Sequence, residues 1–269
     1  MRLLTAIQDP PYVDRHALGE RLLEFHYPEG GWGTRAIGRR PEATAVVIDA
    51  LERIGATFDI DEALHELATM LSESDRQHTY VLVEALSTTA RLRPTSDLAR
   101  ELAAHLLANR DARSLAWPEK RPAVPGAVPR PSTAHTARAL TVLSYGLERG
   151  LDDPDGEYLG AIESGQRWLE ENANLAPIRE NVEPEGQRDL EIRHFTPALV
   201  AHALASVRSP SWDLLARALA EVWRSYNSSI ERWQWPNGDV PVWLQLDALR
   251  AVTAAHARQT MVPIEGGEQ

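Results

Sequence analysis

Gly30-Gly31-Trp32-Gly33 and, shortly after it, Pro41-Glu42-Ala43-Thr44-Ala45-Val46-Val47-Ile48-Asp49-Ala50-Leu51 decide how this chain is read. A Gly-Gly-Trp turn runs into a helix of the form Thr-Ala-x-x-x-x-Ala-Leu. The x-Ala-Leu ending recurs at Asp49-Ala50-Leu51, Glu84-Ala85-Leu86, Arg138-Ala139-Leu140, His202-Ala203-Leu204 and Asp247-Ala248-Leu249. The intervals of 35, 54, 64 and 45 residues make an irregular repeat. Helical periodicity runs from about Val13 to about Arg258, and alternating β-type stretches are lacking, which predicts an all-α chain. A second helix precedes each signature, at about 13–26, 61–73, 96–109, 157–172 and 211–226. Ten helices then pair into five hairpins, about 13–55, 61–92, 96–149, 157–208 and 211–258, in a single domain over 1–258. The polar, Gly-containing tail 259–269 is expected to be disordered.

The small residues Ala50, Ala85, Ala139, Ala203 and Ala248 let helix axes approach, and the leucines beside them give each hairpin a face that only a neighbour can cover. Asp61 and Ser96 are expected N-caps, and Gly55 and Gly150 expected C-caps. Connections from the first helix of a hairpin to the second are long (27–40, 110–130, 173–192, 227–239), except at 74–75. Return connections are short. An up-down array puts the long loops on one rim, where Trp32, Trp117, Trp233 and Trp235 fall. The stretch from Trp117 to Pro131 is basic and rich in proline, a stiff segment suited to covering a cavity mouth or meeting a partner.

Composition narrows the function classes. The chain of 269 residues is long enough to bury a core, and no apolar run of about 18 residues marks a transmembrane helix. The short apolar stretch before Gln8-Asp9-Pro10 is too short for a signal peptide, so a soluble cytoplasmic protein is expected. Zero cysteines remove disulfides, thiolate ligands and a cysteine nucleophile. A net charge of −11 argues against nucleic acid as a partner. No metal-ligand spacing of histidines and no phosphate-binding glycine loop appears, so neither metal nor cofactor is expected.

The Gly-Gly-Trp turn and the Thr-Ala helix resemble the repeat of squalene–hopene cyclases and related terpene cyclases, whose relatives include prenyltransferase β-subunits. Only residues 26–51 match closely, and Arg232-Trp233-Gln234-Trp235-Pro236-Asn237-Gly238 with Val242-Trp243 looks like a degenerate copy. The resemblance implies an α/α toroid, here an array of about five helical hairpins forming a short or open ring. In that family His26 stands where a glutamine pairs with the Gly-x-Trp turn. An Asp-x-Asp-Asp proton-donor motif precedes the Thr-Ala there; this chain has Arg40, Pro41, Glu42 and Ala43. Glu42 is thus the one candidate catalytic acid, with Arg39 and Arg40 beside it favouring the charged carboxylate. Arg35, Arg39 and Arg40 could hold a diphosphate, which would make an isoprenoid-type small molecule or a modified peptide the substrate.

Two other acidic stretches read as structure. Asp59-Ile60-Asp61-Glu62 suits the start of a helix, and Asp152-Asp153-Pro154-Asp155-Gly156-Glu157 suits a turn, since Pro154 and Gly156 forbid a metal-binding helix face. The residue before Ala-Leu is ionisable in all five hairpins: Asp49, Glu84, Arg138, His202 and Asp247. Facing inward, these side chains make a polar ring suited to a peptide, a polar metabolite or a partner's helix. The expectation is a binding or scaffold protein, with a protein or peptide partner at the tryptophan-bearing rim.

Overall fold

The computed structural model describes residues 14–34, 38–73, 78–120, 130–182 and 190–261, in two compact units, Met1–Arg76 and Gln77–Gln269. Ten helices occur among the described residues. The first unit holds α1 (Arg15–Glu24), α2 (Pro41–Ile54) and α3 (Ile60–Glu73); α2 packs against both others. The second holds α4 (Thr79–Leu92), α5 (Asp97–Ala108), α6 (Thr133–Arg149), α7 (Glu157–Asn172), α8 (Thr196–Ser206), α9 (Trp212–Arg224) and α10 (Val242–Met261). The Ala-Leu signatures fall on α2, α4, α6, α8 and α10, as their spacing predicts. None of the described helices is long and apolar enough to cross a membrane.

The second unit is built in two layers. Consecutive inner helices α4, α6, α8 and α10 pack side by side, while α5 covers α4, α7 covers α6 and α9 covers α8. Sequence decides which helix goes where. On α8 Thr196 to Ala201 and Ala203 to Ala205 are all buried, the pattern of a helix surrounded by protein. On α9 only Leu214, Leu215, Ala218 and Val222 are buried, one stripe on an otherwise polar helix. Close approach is enforced at Gly165 on α7, where a β-carbon would come within 2.8 Å of the Trp117 ring and 2.9 Å of Leu140.

Chain ends of helices mostly follow the expectation. Gly55 and Gly150 stop α2 and α6 with φ of 75° and 97°. Ser96 caps α5, its Oγ accepting from Ala99 N. Asp61 does not cap α3: the carboxylate two residues earlier, Asp59, accepts from Asp61 N and Glu62 N at 3.0 Å each. Asp153 likewise takes the Tyr158 and Leu159 amides at the start of α7, so the acidic stretch there is a turn and cap.

The long connections carry more order than the sequence suggests. Three contain antiparallel two-stranded hairpins: β1 (Gly33–Thr34) with β2 (Gly38–Arg39), β3 (Ile178–Val182) with β4 (Leu190–His194), and β5 (Tyr226–Asn227) with β6 (Arg232–Trp233). The Trp117–Pro131 stretch is fastened at its base by a Pro118–Pro131 bridge and by Thr79 Oγ1 donating to Pro118 O at 2.6 Å. Its residues 121–129, and the tail 262–269, lie outside the described residues; α10 continues to Met261.

One arrangement recurs at three of these loops. Trp32 N–H donates to Thr44 Oγ1 (2.8 Å), and that hydroxyl donates to Trp32 O (3.2 Å). Trp117 N–H donates to Thr136 Oγ1 (3.0 Å), which donates to Trp117 O (3.4 Å). Trp233 N–H donates to Gln245 Oε1 (3.0 Å), while Gln245 Nε2 donates to Trp233 O (2.5 Å). Thr44, Thr136 and Gln245 each stand fourth in their helices, counted from Pro41, Thr133 and Val242. One side chain thus bonds both main-chain polar groups of a tryptophan, which the buried indole drags out of water. Two of the indoles are pinned as well, Trp32 Nε1 donating to Leu22 O (2.8 Å) and Trp117 Nε1 to Leu106 O (2.7 Å). His26 serves the first turn: Gly31 N–H reaches its Nε2 (3.1 Å) and Glu66 Oε2 (2.9 Å), and its ring packs edge-on to Trp32 at 4.5 Å.

Removing the hydroxyl in Thr136→Val strands a buried amide, so urea unfolding should show a loss of about 1–3 kcal/mol. Trp117→Ala, which also empties a fully buried site, should lose about 3–5 kcal/mol. A Thr136→Val stability equal to wild type would show that the bond pair does not hold the loop.

Candidate functional site

The four tryptophans expected to form an exposed rim are core residues: Trp32, Trp117, Trp233 and Trp235 are at most 3% exposed. Their loops carry them inward: Trp32 bonds to α1 and α2, Trp117 meets α5 and α7, Trp233 meets α9 and α10, and Trp235 packs edge-on to buried Phe195. The exposed tryptophans among the described residues are Trp212, Trp223 and Trp243, on helices.

In the first unit the candidate acid is paired with Arg40, and Arg39 is occupied by backbone carbonyls. Arg40 Nε donates to Glu42 Oε1 at 2.5 Å. Arg39 Nη1 donates to Glu29 O at 2.6 Å and reaches Gly30 O at 3.5 Å, bracing the turn before Trp32. Arg35 lies outside the described residues. Asp49 pairs with Arg53 one turn on along α2, at 2.6 Å. Its register explains this: the sixth residue of α2, the counterpart of Arg138 and Asp247 on their helices, is Val46, and Asp49 stands three places further on.

In the second unit the charged residues do converge. Glu84, Arg138 and Asp247 are each sixth in α4, α6 and α10, counted from Thr79, Thr133 and Val242. His202 is seventh in α8, counted from Thr196. Arg138 Nη1 donates to Glu84 Oε1 at 3.0 Å, leaving its buried Nε without a hydrogen-bond partner among the described residues. Asp247 lies within electrostatic reach of Arg138, Arg250, Glu84 and His194. Interaction between Asp247 and Glu84, on inner helices with two others between them, shows that the inner layer curves and that these side chains occupy its concave side.

The energetics of the cluster are set by burial. Burial pushes the Asp247 carboxyl above the ordinary carboxylate range, and the charges of Arg138 and Arg250 only partly offset it. Burial holds the His202 imidazole neutral, pushing its pKa down to about 4 from 6.5, with Arg250 acting in the same direction. Neither side chain has a hydrogen bond or ion pair among the described residues. The half-buried Asp247 and His202 thus line one concave face with unspent hydrogen-bonding capacity, and the buried Arg138 Nε behind them is unpaired among the described residues, although buried polar groups are normally satisfied.

Sequence reasoning missed two contributors. His194 ends β4, is buried, and packs edge-on to buried His135 at 5.4 Å. The alternation Leu190-x-Ile192-x-His194 was the available signal for that strand. Arg250 lies one turn beyond Asp247, a position with no motif of its own. Among the described residues no group of three or more His, Asp or Glu is placed to hold a metal ion.

No protein-family model matches this chain, and no curated protein matches it. Among solved structures, the chain is similar to a family 76 glycoside hydrolase from a bovine Bacteroides thetaiotaomicron strain, at 14% identity and a TM-score of 0.50. The match covers 80% of this chain and 55% of that one, so this chain spans little more than half the neighbour's length. The neighbour is an α/α toroid. The likeness places this protein in the all-α class of α/α toroid-like helical hairpin arrays, and it supports that class without supporting the terpene-cyclase resemblance.

The sign of the His202 shift fixes a pH dependence. A depressed folded-state pKa means that stability is complete above 6.5 and is lost as pH falls towards about 4. Replacing His202 with Gln should remove that loss, worth up to about 3 kcal/mol in wild type. Urea unfolding at neutral and acid pH measures it. Parallel acid losses in wild type and His202→Gln would show that His202 is not held neutral.

Proposed function

We propose that the Gln77–Gln269 unit is a binding module for a polar ligand, which it takes on the concave face of its inner helices. One observation carries this reading: Asp247 and His202, half-buried on two different helices beside Arg250, leave their side chains without hydrogen bonds among the described residues, and the Arg138 guanidinium lies within electrostatic reach of Asp247. A ligand's hydroxyl or amide groups would take up the hydrogen-bonding capacity that Asp247 and His202 leave open. The polar lining also sets the ligand's character. A hydrocarbon would strand these groups further, whereas hydroxyl or amide groups would satisfy them. The scaffold role follows if the ligand is part of another protein, entering from the side of the long loops.

An enzyme acting on an isoprenoid diphosphate, with Glu42 as acid and Arg35, Arg39 and Arg40 on the diphosphate, is the weaker reading. Arg40 is already committed to Glu42, and Arg39 to the carbonyls of Glu29 and Gly30.

Small neutral polyols and amides at millimolar concentration, followed by NMR on the full chain, test the module. Bound probes should shift signals from α6, α8 and α10, and Asp247→Ala and His202→Ala should each weaken binding about tenfold. Probes that fail to bind, or that bind equally well to both variants, would remove the inner face as the site.

A further inference from the structure

The hairpin β3–β4 reaches this face at His194, which lies within electrostatic reach of Asp247. It is a two-stranded sheet with no third strand among the described residues. A ribbon of two strands is marginal alone, and its open edges are templates for another extended chain. The register pairs Arg193 directly with Arg179, placing like charges opposite each other. Arg193 lies over the Trp235 ring at 4.8 Å, its buried Nε has no hydrogen-bond partner, and it forms no ion pair among the described residues. It is an anchored cation in a chain where acids outnumber basic residues by 39 to 28.

The next residue along β4 connects this edge to the inner face. His194 is buried against His135 and lies within electrostatic reach of Asp247. A strand laid along β4 advances about 3.3 Å per residue and is delivered to the concave face where the hairpin ends. There Asp247 can accept, and the part-exposed Arg138 guanidinium can donate. A peptide unit offers one donor and one acceptor fixed in one plane, and it is uncharged. That neutrality matters, because Glu84 and Arg138 already cancel and His202 is neutral. Other charged or titratable groups bordering Asp247 are Arg250 on its own helix and His194 at the end of β4.

We propose that the ligand of the inner-face site is an extended peptide segment of a partner protein, carrying an acidic side chain, which adds to the edge of β4 opposite Arg193 and presents a main-chain amide to Asp247 and Arg138. This rests on the reading of the inner face as a binding site and names its ligand. Main-chain pairing supplies affinity in such strand addition, and side-chain contacts supply selectivity.

The test uses the full chain and a library of N-acetylated, C-amidated peptides of about nine residues, long enough to follow β4 and enter the face. Each carries one glutamate at a varied position. Peptides should be enriched according to glutamate position, and Arg193→Ala and Asp247→Asn should each weaken the tightest peptide about tenfold. Arg193→Lys should retain part of that affinity, and melting curves check that the variants fold. Methylating one central amide nitrogen of the peptide should also weaken it about tenfold, which a purely side-chain contact would not explain. Absence of any enriched peptide, or affinities indifferent to both variants and to N-methylation, overturns the proposal. If polyols or small amides then still bind in an Asp247-dependent way, the peptide falls and the inner-face site stands; if they do not, both fall.

Discussion

A buried tryptophan whose own N–H and C=O are held by one side chain, four residues into the next inner helix, is the constraint on which the rest of this protein depends. An indole contributes a large apolar area, yet sinking it into a helical array drags its peptide unit out of water. A threonine hydroxyl or glutamine amide, each both donor and acceptor, settles that cost at a single point. It also fixes the rotation of the helix. Arg138 and Asp247 follow Thr136 and Gln245 by two residues, about 200° around the helix, so their side chains leave on the side away from the tryptophan. The bonds that seat the loop therefore aim the charges at the concave face. In α2 the same position is Val46, and the first unit has no corresponding charge.

On that face, burial prevails over charge pairing. Two arginines near Asp247 would ordinarily draw its carboxyl towards the ionised state, but the cost of desolvation is the larger effect and the shift is upward. The same competition leaves His202 neutral. A lining made of a paired Glu84–Arg138, a neutral imidazole and a reluctant carboxyl carries many hydrogen-bonding atoms and little net charge. A ligand of the kind proposed would be discriminated there by geometry, since a misplaced donor or acceptor would leave two groups unsatisfied at once.

Much of the architecture was written in period and punctuation. The Ala-Leu signatures found every inner helix because small and large apolar residues must alternate where helix axes approach. Glycine ended α2 and α6 where left-handed backbone was needed. The hairpins in the loops escaped notice because they are short and interrupt helical periodicity without breaking it. The tryptophans were misread for a physical reason: a loop position suggests exposure, but these loops exist to insert a ring between helices. The cluster of Glu84, Arg138, His202 and Asp247 was legible as a set of positions. The neutrality of His202, the open valences of Asp247 and the contribution of His194 come from packing, which a one-dimensional pattern does not contain. The Asp49 signature shows the opposite limit, for the same letters in a shifted register give a surface ion pair with Arg53.

The third tryptophan differs from the other two in one bond. Trp233 is nearly fully buried, but its indole N–H, unlike those of Trp32 and Trp117, finds no carbonyl of the preceding helix. Of the three helices seated in this way, α10 is thus held by one bond fewer, and it is the helix that carries Asp247. On the proposed reading, order in the C-terminal layer and occupancy of the concave face become a single equilibrium: a ligand that grips Asp247 would also steady α10. Occupancy in this array would thus be recorded as rigidity at its C-terminal edge, a signal that can be passed on without any change of fold.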